Sequence, residues 1–230
     1  MKTTLNTLLK TKKNFVFVGE AGCGKSEIAI NFAVHLAELS DKTVHFFDMD
    51  QTKPLFRSRD VRQLLEEKGI VFHYEEQIFD APTVPGGVRE ALADEDSIVV
   101  MDVGGDHIGA RIIGAYAPFL NRPNTQNFFV INGYRPWSRD LVSIDGTMAR
   151  VLGMARIQLE NVSFMSNPNV GLTTTAEEVI AGNDMVKELI DDYISIDYLC
   201  ALTHLCPAVK ENIDVPVLPI ELYLTYEWNQ

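Results

Sequence analysis

One stretch of this chain combines residue types and spacing that can hold a phosphate: Gly19-Glu20-Ala21-Gly22-Cys23-Gly24-Lys25-Ser26. It fits G-x-x-x-x-G-K-[ST] at every fixed position. Glycines let the main chain curl so that several N–H groups face one anion. A helix beginning there adds partial positive charge at its N-terminus. Lys25 can then reach the outer phosphates of a nucleotide, and the hydroxyl of Ser26 can hold Mg²⁺. The flanks agree. Asn14-Phe15-Val16-Phe17-Val18 reads as a short buried strand, and Ile28, Phe32 and Leu36 recur at four-residue spacing, as one helix face does. An ordinary glycine-rich turn has no need of that setting.

Carboxylates and amides recur where such a loop needs them. Thr43-Val44-His45-Phe46-Phe47 is a second apolar strand and runs into Asp48-Met49-Asp50; Ile98-Val99-Val100-Met101 runs into Asp102, with Gly104-Gly105 behind it. Ligands bind beyond the carboxyl ends of strands in an open parallel sheet. Gly19, Asp48, Asp50, Asp102, Asn132, Asn167 and Pro219 all fall at such ends. Magnesium beside phosphates keeps several waters that want acceptors, a task that suits Asp102. Gly105 is placed to offer a backbone N–H to a γ-phosphate. Phosphoryl transfer also needs a group to orient the attacking water, which either Asp50 or Asp48 can supply. Asn132 and Asn167 are candidates for reading a base, though asparagine is common at strand exits.

The elements that must position these residues alternate. Beyond those named, Ile70–Tyr74, Phe128–Ile131, Val162–Met165 and Val215–Leu218 read as strands. Helical faces are marked by Val61, Leu64 and Leu65; by Ile108, Ile112, Ala115 and Phe119; and by Leu141, Ile144, Met148 and Val151, with Ser138 as the cap. Thr174 and Thr175, followed by Glu177 and Glu178, offer a capping box for a helix carrying Val179, Val186 and Ile190. This alternation predicts a three-layer α/β/α fold with a mostly parallel central sheet. With no linker or repeat in view, it predicts one domain over residues 1–230.

Composition narrows the classes. The formal net charge of -12 argues against binding DNA or a membrane surface through the whole molecule. Three cysteines, one of them inside the phosphate loop, point to a reduced, cytoplasmic chain. Nothing resembles a signal peptide or a membrane span. Cys200, His204 and Cys206 invite a metal reading, but three donors do not close a structural zinc site, and core packing is the better account.

Together these landmarks resemble the MinD/ParA-like branch of P-loop NTPases (SIMIBI class), which includes nickel-insertion ATPases and dethiobiotin synthetase. The carrying pieces are Gly19–Ser26, Asp48-Met49-Asp50, Asp102-Val103-Gly104-Gly105, Val130-Ile131-Asn132, the Ser138-Arg139-Asp140 helix start, Asn167 and Val217-Leu218-Pro219. The resemblance implies that Asp50 positions water, that Asp48 lies near Mg²⁺ with Ser26 and Asp102, and that Asn167 and Pro219 contact the purine. Residues Gly19, Glu20, Ala21, Gly22, Cys23, Gly24, Lys25, Ser26 and Gly105 would then line the phosphates. Relatives place a lysine directly after the first glycine, reaching a partner subunit's nucleotide; here that position is Glu20. Lys53, Arg57 or Arg59 is expected to supply the missing charge. The C-terminal stretch lacks the basic amphipathic helix that anchors membrane-bound relatives.

The function implied is Mg²⁺-dependent binding and slow hydrolysis of ATP, as a switch for an unidentified protein partner, with a homodimer admitted. Without an Asn-Lys-x-Asp signature, ATP is preferred to GTP. Two other classes remain. An ATP-dependent synthetase would need a substrate pocket, for which the 76–87 loop is the candidate. A partition ATPase is disfavoured by the acidic charge and by Glu20.

Overall fold

The fold was obtained as a computed structural model and is described for residues 1–50, 58–74, 85–105 and 107–224, apart from the side chains of residues 107 and 108. Lys53, Arg57 and most of the 76–87 loop lie outside the described residues.

Among the described residues, eight parallel strands form one sheet. They are β1 (Asn14–Gly19), β2 (Thr43–Met49), β3 (Val71–His73), β4 (Ser97–Val103), β5 (Thr125–Ile131), β6 (Val162–Ser166), β7 (Tyr198–Leu202) and β8 (Val217–Ile220). The order across the sheet is β3-β2-β4-β1-β5-β6-β7-β8. The chain therefore winds outward from β1 to β3, returns to β4, and passes beyond β1 to β5 and onward. That reversal opens a crevice at the carboxyl end of β1, where doubly wound sheets bind ligands.

Helices cover both faces, which is why the inner strands are apolar on both sides. On one face lie α1 (Lys2–Leu8), α2 (Lys25–Leu39) and α3 (Arg62–Glu67), packed on Phe15, Phe17, Phe46 and Phe128. On the other lie α4 (Val88–Ala93), α5 (His107–Ile113), α6 (Ala117–Leu120), α7 (Leu141–Ala155) and α8 (Ala176–Ile190), packed on Val16, Val18, Met101 and Phe129. The short α9 (Cys206–Lys210) closes the β7–β8 end together with α8. The expected three-layer α/β/α architecture is the one observed.

One aromatic cluster sets the position of the phosphate loop. Phe32 of α2 meets Phe17 of β1 edge-on at 4.9 Å and Phe128 of β5 at 5.2 Å. All three rings are fully buried. Edge-to-face contacts of this kind add to the area they bury, so α2 is pinned over β1 and β5 with its N-terminus at the crevice.

Several local expectations change. The helix face from residue 108 to 119 is interrupted: α5 ends at Ile113, and α6 restarts with Pro118 in its first turn, because proline cannot continue a helix in its interior. Ser138 does not cap α7. It closes a short 3-10 turn, and Asp140 is the cap, accepting from the Ser143 N–H at 2.7 Å. The capping box at Thr175 and Glu178 is present in both directions. Cys200 lies in β7 and is fully buried. Pro219 stands inside β8, not at its end; β8 is an edge strand, where the missing N–H costs no ladder bond.

Candidate functional site

The phosphate loop leaves β1 at Gly19 and enters α2 at Lys25. Gly24 is the N-cap of α2, with φ of 93°. A Cβ there would fall 2.1 Å from Nδ2 of Asn167, so a side chain is excluded by conformation and by space alike. That amide is what the space is for: Asn167 Nδ2 donates to the Cys23 carbonyl at 2.8 Å, tying the loop to the end of β6. Oδ1 of Asn167, also buried, has no hydrogen-bond partner among the described residues. Lys25 is only 1% exposed, and its ammonium donates to the Glu20 carbonyl at 2.7 Å. The lysine is thus folded over the loop from which it springs.

Glu20 is neutralised from within the chain. Its carboxylate meets Nη2 of Arg150, on α7, at 2.9 Å. A second guanidinium, that of Arg135, donates through Nε to the Gly22 carbonyl, also at 2.9 Å. Neither arginine stands out in the sequence, because each reaches the loop only through the fold. Arg59, one of the three cations expected to replace the relatives' lysine, lies instead on Asp48, at 2.9 Å.

The carboxylates gather beside the loop. Asp48 and Asp102 are paired positions on β2 and β4, and Asp102 also pairs with Phe17 of β1. Both carboxylates are buried. Burial pushes the Asp48 carboxyl up to about 6, helped by the charge of Asp102 and opposed by Arg59. Asp50, likewise buried, donates its N–H to Oδ1 of Asp48 at 3.0 Å. The Asp50 carboxylate lies against Gly104: a Cβ on that glycine would stand 3.2 Å from Oδ1. A Cβ on Gly105 would fall 2.6 Å from both N and Cα of Ala21, so the segment after β4 touches the phosphate loop backbone to backbone.

The fold therefore gathers Gly19–Ser26, Asp48, Asp50, Asp102, Gly105 and Asn167 around the end of β1. Pro219 stands apart, with β5, β6 and β7 between it and β1. The chain beyond β8 turns back onto α2, where Asn31 and Glu27 hold the backbone of residues 221, 223 and 224. Cys23 is buried, which removes the easy access that oxidation needs. Cys200 and Cys206 are buried as well, and burial pushes both thiols up.

This donor set fits a magnesium–nucleotide group. A hydroxyl at Ser26 and hard carboxylate oxygens suit Mg²⁺. No group of three or more His, Cys, Asp or Glu among the described residues could hold a metal ion by itself. The buried, unpartnered Oδ1 of Asn167 leaves an acceptor beside the loop.

No described helix is long and apolar enough to cross a membrane. No protein-family model matches this chain, and no curated protein matches it. Among solved structures the chain is similar to the BceF tyrosine kinase domain, at 22% identity over 73% of this chain and 75% of that one, with a TM-score of 0.42. It is similar to the signal recognition particle receptor FtsY from Elizabethkingia anophelis, at 15% identity over 86% of this chain and 64% of that one, with a TM-score of 0.45. It is also similar to the signal recognition particle 54 kDa protein from Aeropyrum pernix K1 in complex with GDP, at 15% identity and a TM-score of 0.40, and spans 43% of that chain. With TM-scores this low, the fold assignment rests on the chain's own sheet order and helices.

Proposed function

We propose that this chain binds ATP with Mg²⁺, hydrolyses it slowly, and acts as a nucleotide-dependent switch for a protein partner, in the manner of MinD/ParA-like P-loop NTPases. The observation that carries the reading is Lys25. A lysine is rarely this buried, yet it is held inside a loop that opens a helix, with its ammonium on the Glu20 carbonyl. Such a site binds anions through main-chain donors and one point charge.

The roles follow from position. Backbone N–H groups of residues 20–26 bind the phosphates, and Lys25 exchanges its bond to the Glu20 carbonyl for a phosphate oxygen. Ser26, Asp48 and Asp102 would hold the ion and its waters; Mg²⁺ supplies charge neutralisation on the phosphates. Asp50 accepts a hydrogen bond from the attacking water and orients it. Asn167 accepts from the base through Oδ1. An acceptor there favours the amino group of adenine over the oxygen of guanine.

Calorimetry of the purified chain with ATP and Mg²⁺ tests the reading, with Lys25→Ala alongside. Micromolar binding in the wild type, weakened at least about tenfold in the variant, is the expected result, since a charge-assisted bond is worth about 1.5–3 kcal/mol. A folded wild type that takes up neither ATP nor GTP overturns it.

A further inference from the structure

Two consecutive residues already occupy the carboxylates that the ion would need. Ser58 and Arg59 begin a 3-10 turn, Ser58–Val61, just before α3. The Ser58 hydroxyl donates to Oδ2 of Asp102. Arg59 donates through Nε to Oδ2 of Asp48 at 2.9 Å, and through Nη2 to the Asp50 carbonyl at 3.1 Å. Ser58 and Asp102 are both 0% exposed, and Asp48 only 2%. A hydrated ion needs exposed acceptor oxygens; with this turn in place, these two carboxylates offer almost none.

The turn also reaches outward. The Arg59 guanidinium lies 5.7 Å from the centre of the Tyr74 ring, directly after β3. Arg62, in the first turn of α3, lies 5.1 Å from the same ring and donates to its hydroxyl at 3.0 Å. One chain of contacts thus runs from Asp48 through Arg59 and Tyr74 to α3, at the β3 edge of the sheet.

We propose that Ser58 and Arg59 form an internal latch that competes with magnesium-bound nucleotide for Asp102 and Asp48. Its release frees the 58–74 segment, so occupancy of the crevice is read out at the sheet edge. The proposal rests on the nucleotide-binding reading above, and one titration separates the two. A non-hydrolysable ATP analogue is titrated calorimetrically at pH 8, once in EDTA and once with Mn²⁺. Binding in EDTA reports the phosphate loop; the gain on adding the metal reports the latch.

The expected result is that Arg59→Ala and Ser58→Ala leave affinity in EDTA unchanged and enlarge the metal-dependent gain about tenfold, as removing a closed state does. Arg59→Lys, which keeps a cation on Asp48, stays near the wild-type gain and controls for folding. In wild type, amides 58–67 lose hydrogen-exchange protection when analogue and Mn²⁺ are added together. Binding in EDTA with an unchanged or smaller metal gain in both alanine variants, or with amide protection unmoved in the wild type, overturns the latch alone. No binding by the wild type in either condition overturns the nucleotide reading, and the latch with it.

Discussion

Asp48 on β2 and Asp102 on β4 are register partners at the carboxyl ends of adjacent strands, both buried, with Arg59 on the first and Ser58 on the second. Two carboxylates so placed cannot both ionise freely. The charge of Asp102 adds to the burial that lifts Asp48 from 3.8 to about 6. The sign of the linkage follows. Between those values the folded chain binds a proton at Asp48 that the unfolded chain has released, so folding stability contributed by this group is complete below 3.8 and is lost as pH rises through about 6. Comparing wild type with Asp48→Asn by urea unfolding from pH 4 to pH 8, without nucleotide or metal, isolates this contribution. The wild type is expected to lose about 2 kcal/mol relative to the variant across that window. A difference that is flat with pH would remove the strained carboxylate from the account.

On the proposed reading, Asp50 is the residue at which binding and chemistry should come apart. Its carboxylate faces Gly104 and its N–H braces Asp48, so Asp50→Asn keeps the shape and the brace while removing the charge. ATP affinity is expected to stay within about threefold of wild type, while the single-turnover rate of phosphate release falls about 100-fold or more, the usual contribution of a positioned acid or base. Quench-flow measurement on saturated protein reads the second number directly. Equal losses in both would mark Asp50 as a binding residue.

Glu20 and Arg150 call for a double-mutant cycle. Half of the Arg150 side chain is exposed, so the pair adds little to stability, about 0–1 kcal/mol. On the proposed reading, its larger effect is expected on the phosphates. Arg150→Ala leaves the Glu20 carboxylate unneutralised beside an anion and should weaken ATP binding; Glu20→Ala removes that repulsion and should strengthen it. The arginine variant is expected to cost about fivefold in affinity in the wild-type background and much less in the Glu20→Ala background, a coupling of about 1 kcal/mol. Calorimetry at low and at physiological salt reads both. Additive effects would place Arg150 outside the phosphate field.

The alternation of strands and helices was legible because the central strands are buried on both faces and read as apolar runs. The phosphate loop was legible because its chemistry is local. What hid was set by tertiary contact. The first three residues of β5, Thr125-Gln126-Asn127, are polar, yet they are buried because their side chains serve neighbouring elements; Asn127 donates to the Leu120 and Asn161 carbonyls. Ser138 matches a capping pattern as well as Asp140 does, and only the turn geometry chooses between them. Arg150 stands 130 residues from Glu20, and no local spacing links them. Ser58 opens a 3-10 turn before α3, and its bond to Asp102 joins that turn to β4, 44 residues further along the chain.

Gly105 gives a sharp steric test, because its closest neighbours are backbone atoms. A Cβ would stand 2.6 Å from N and Cα of Ala21 and 3.0 Å from the carbonyl carbon of Glu20, and main chain does not step aside as a flexible side chain does. Gly105→Ala must therefore push the segment after β4 away from the phosphate loop, or bend the loop itself. Overpacking of this kind costs about 1–3 kcal/mol of stability. The functional cost should be larger, since the displaced segment carries Asp102 and the N–H of residue 105 on the same stretch of chain. Expected together are a melting temperature lowered by several degrees, retained secondary structure by circular dichroism, and ATP affinity reduced more than ADP affinity, if the N–H meets the terminal phosphate as the proposed function has it. Equal losses for the two nucleotides would show that the contact between this segment and Ala21 shapes the loop as a whole and does not single out the γ-phosphate.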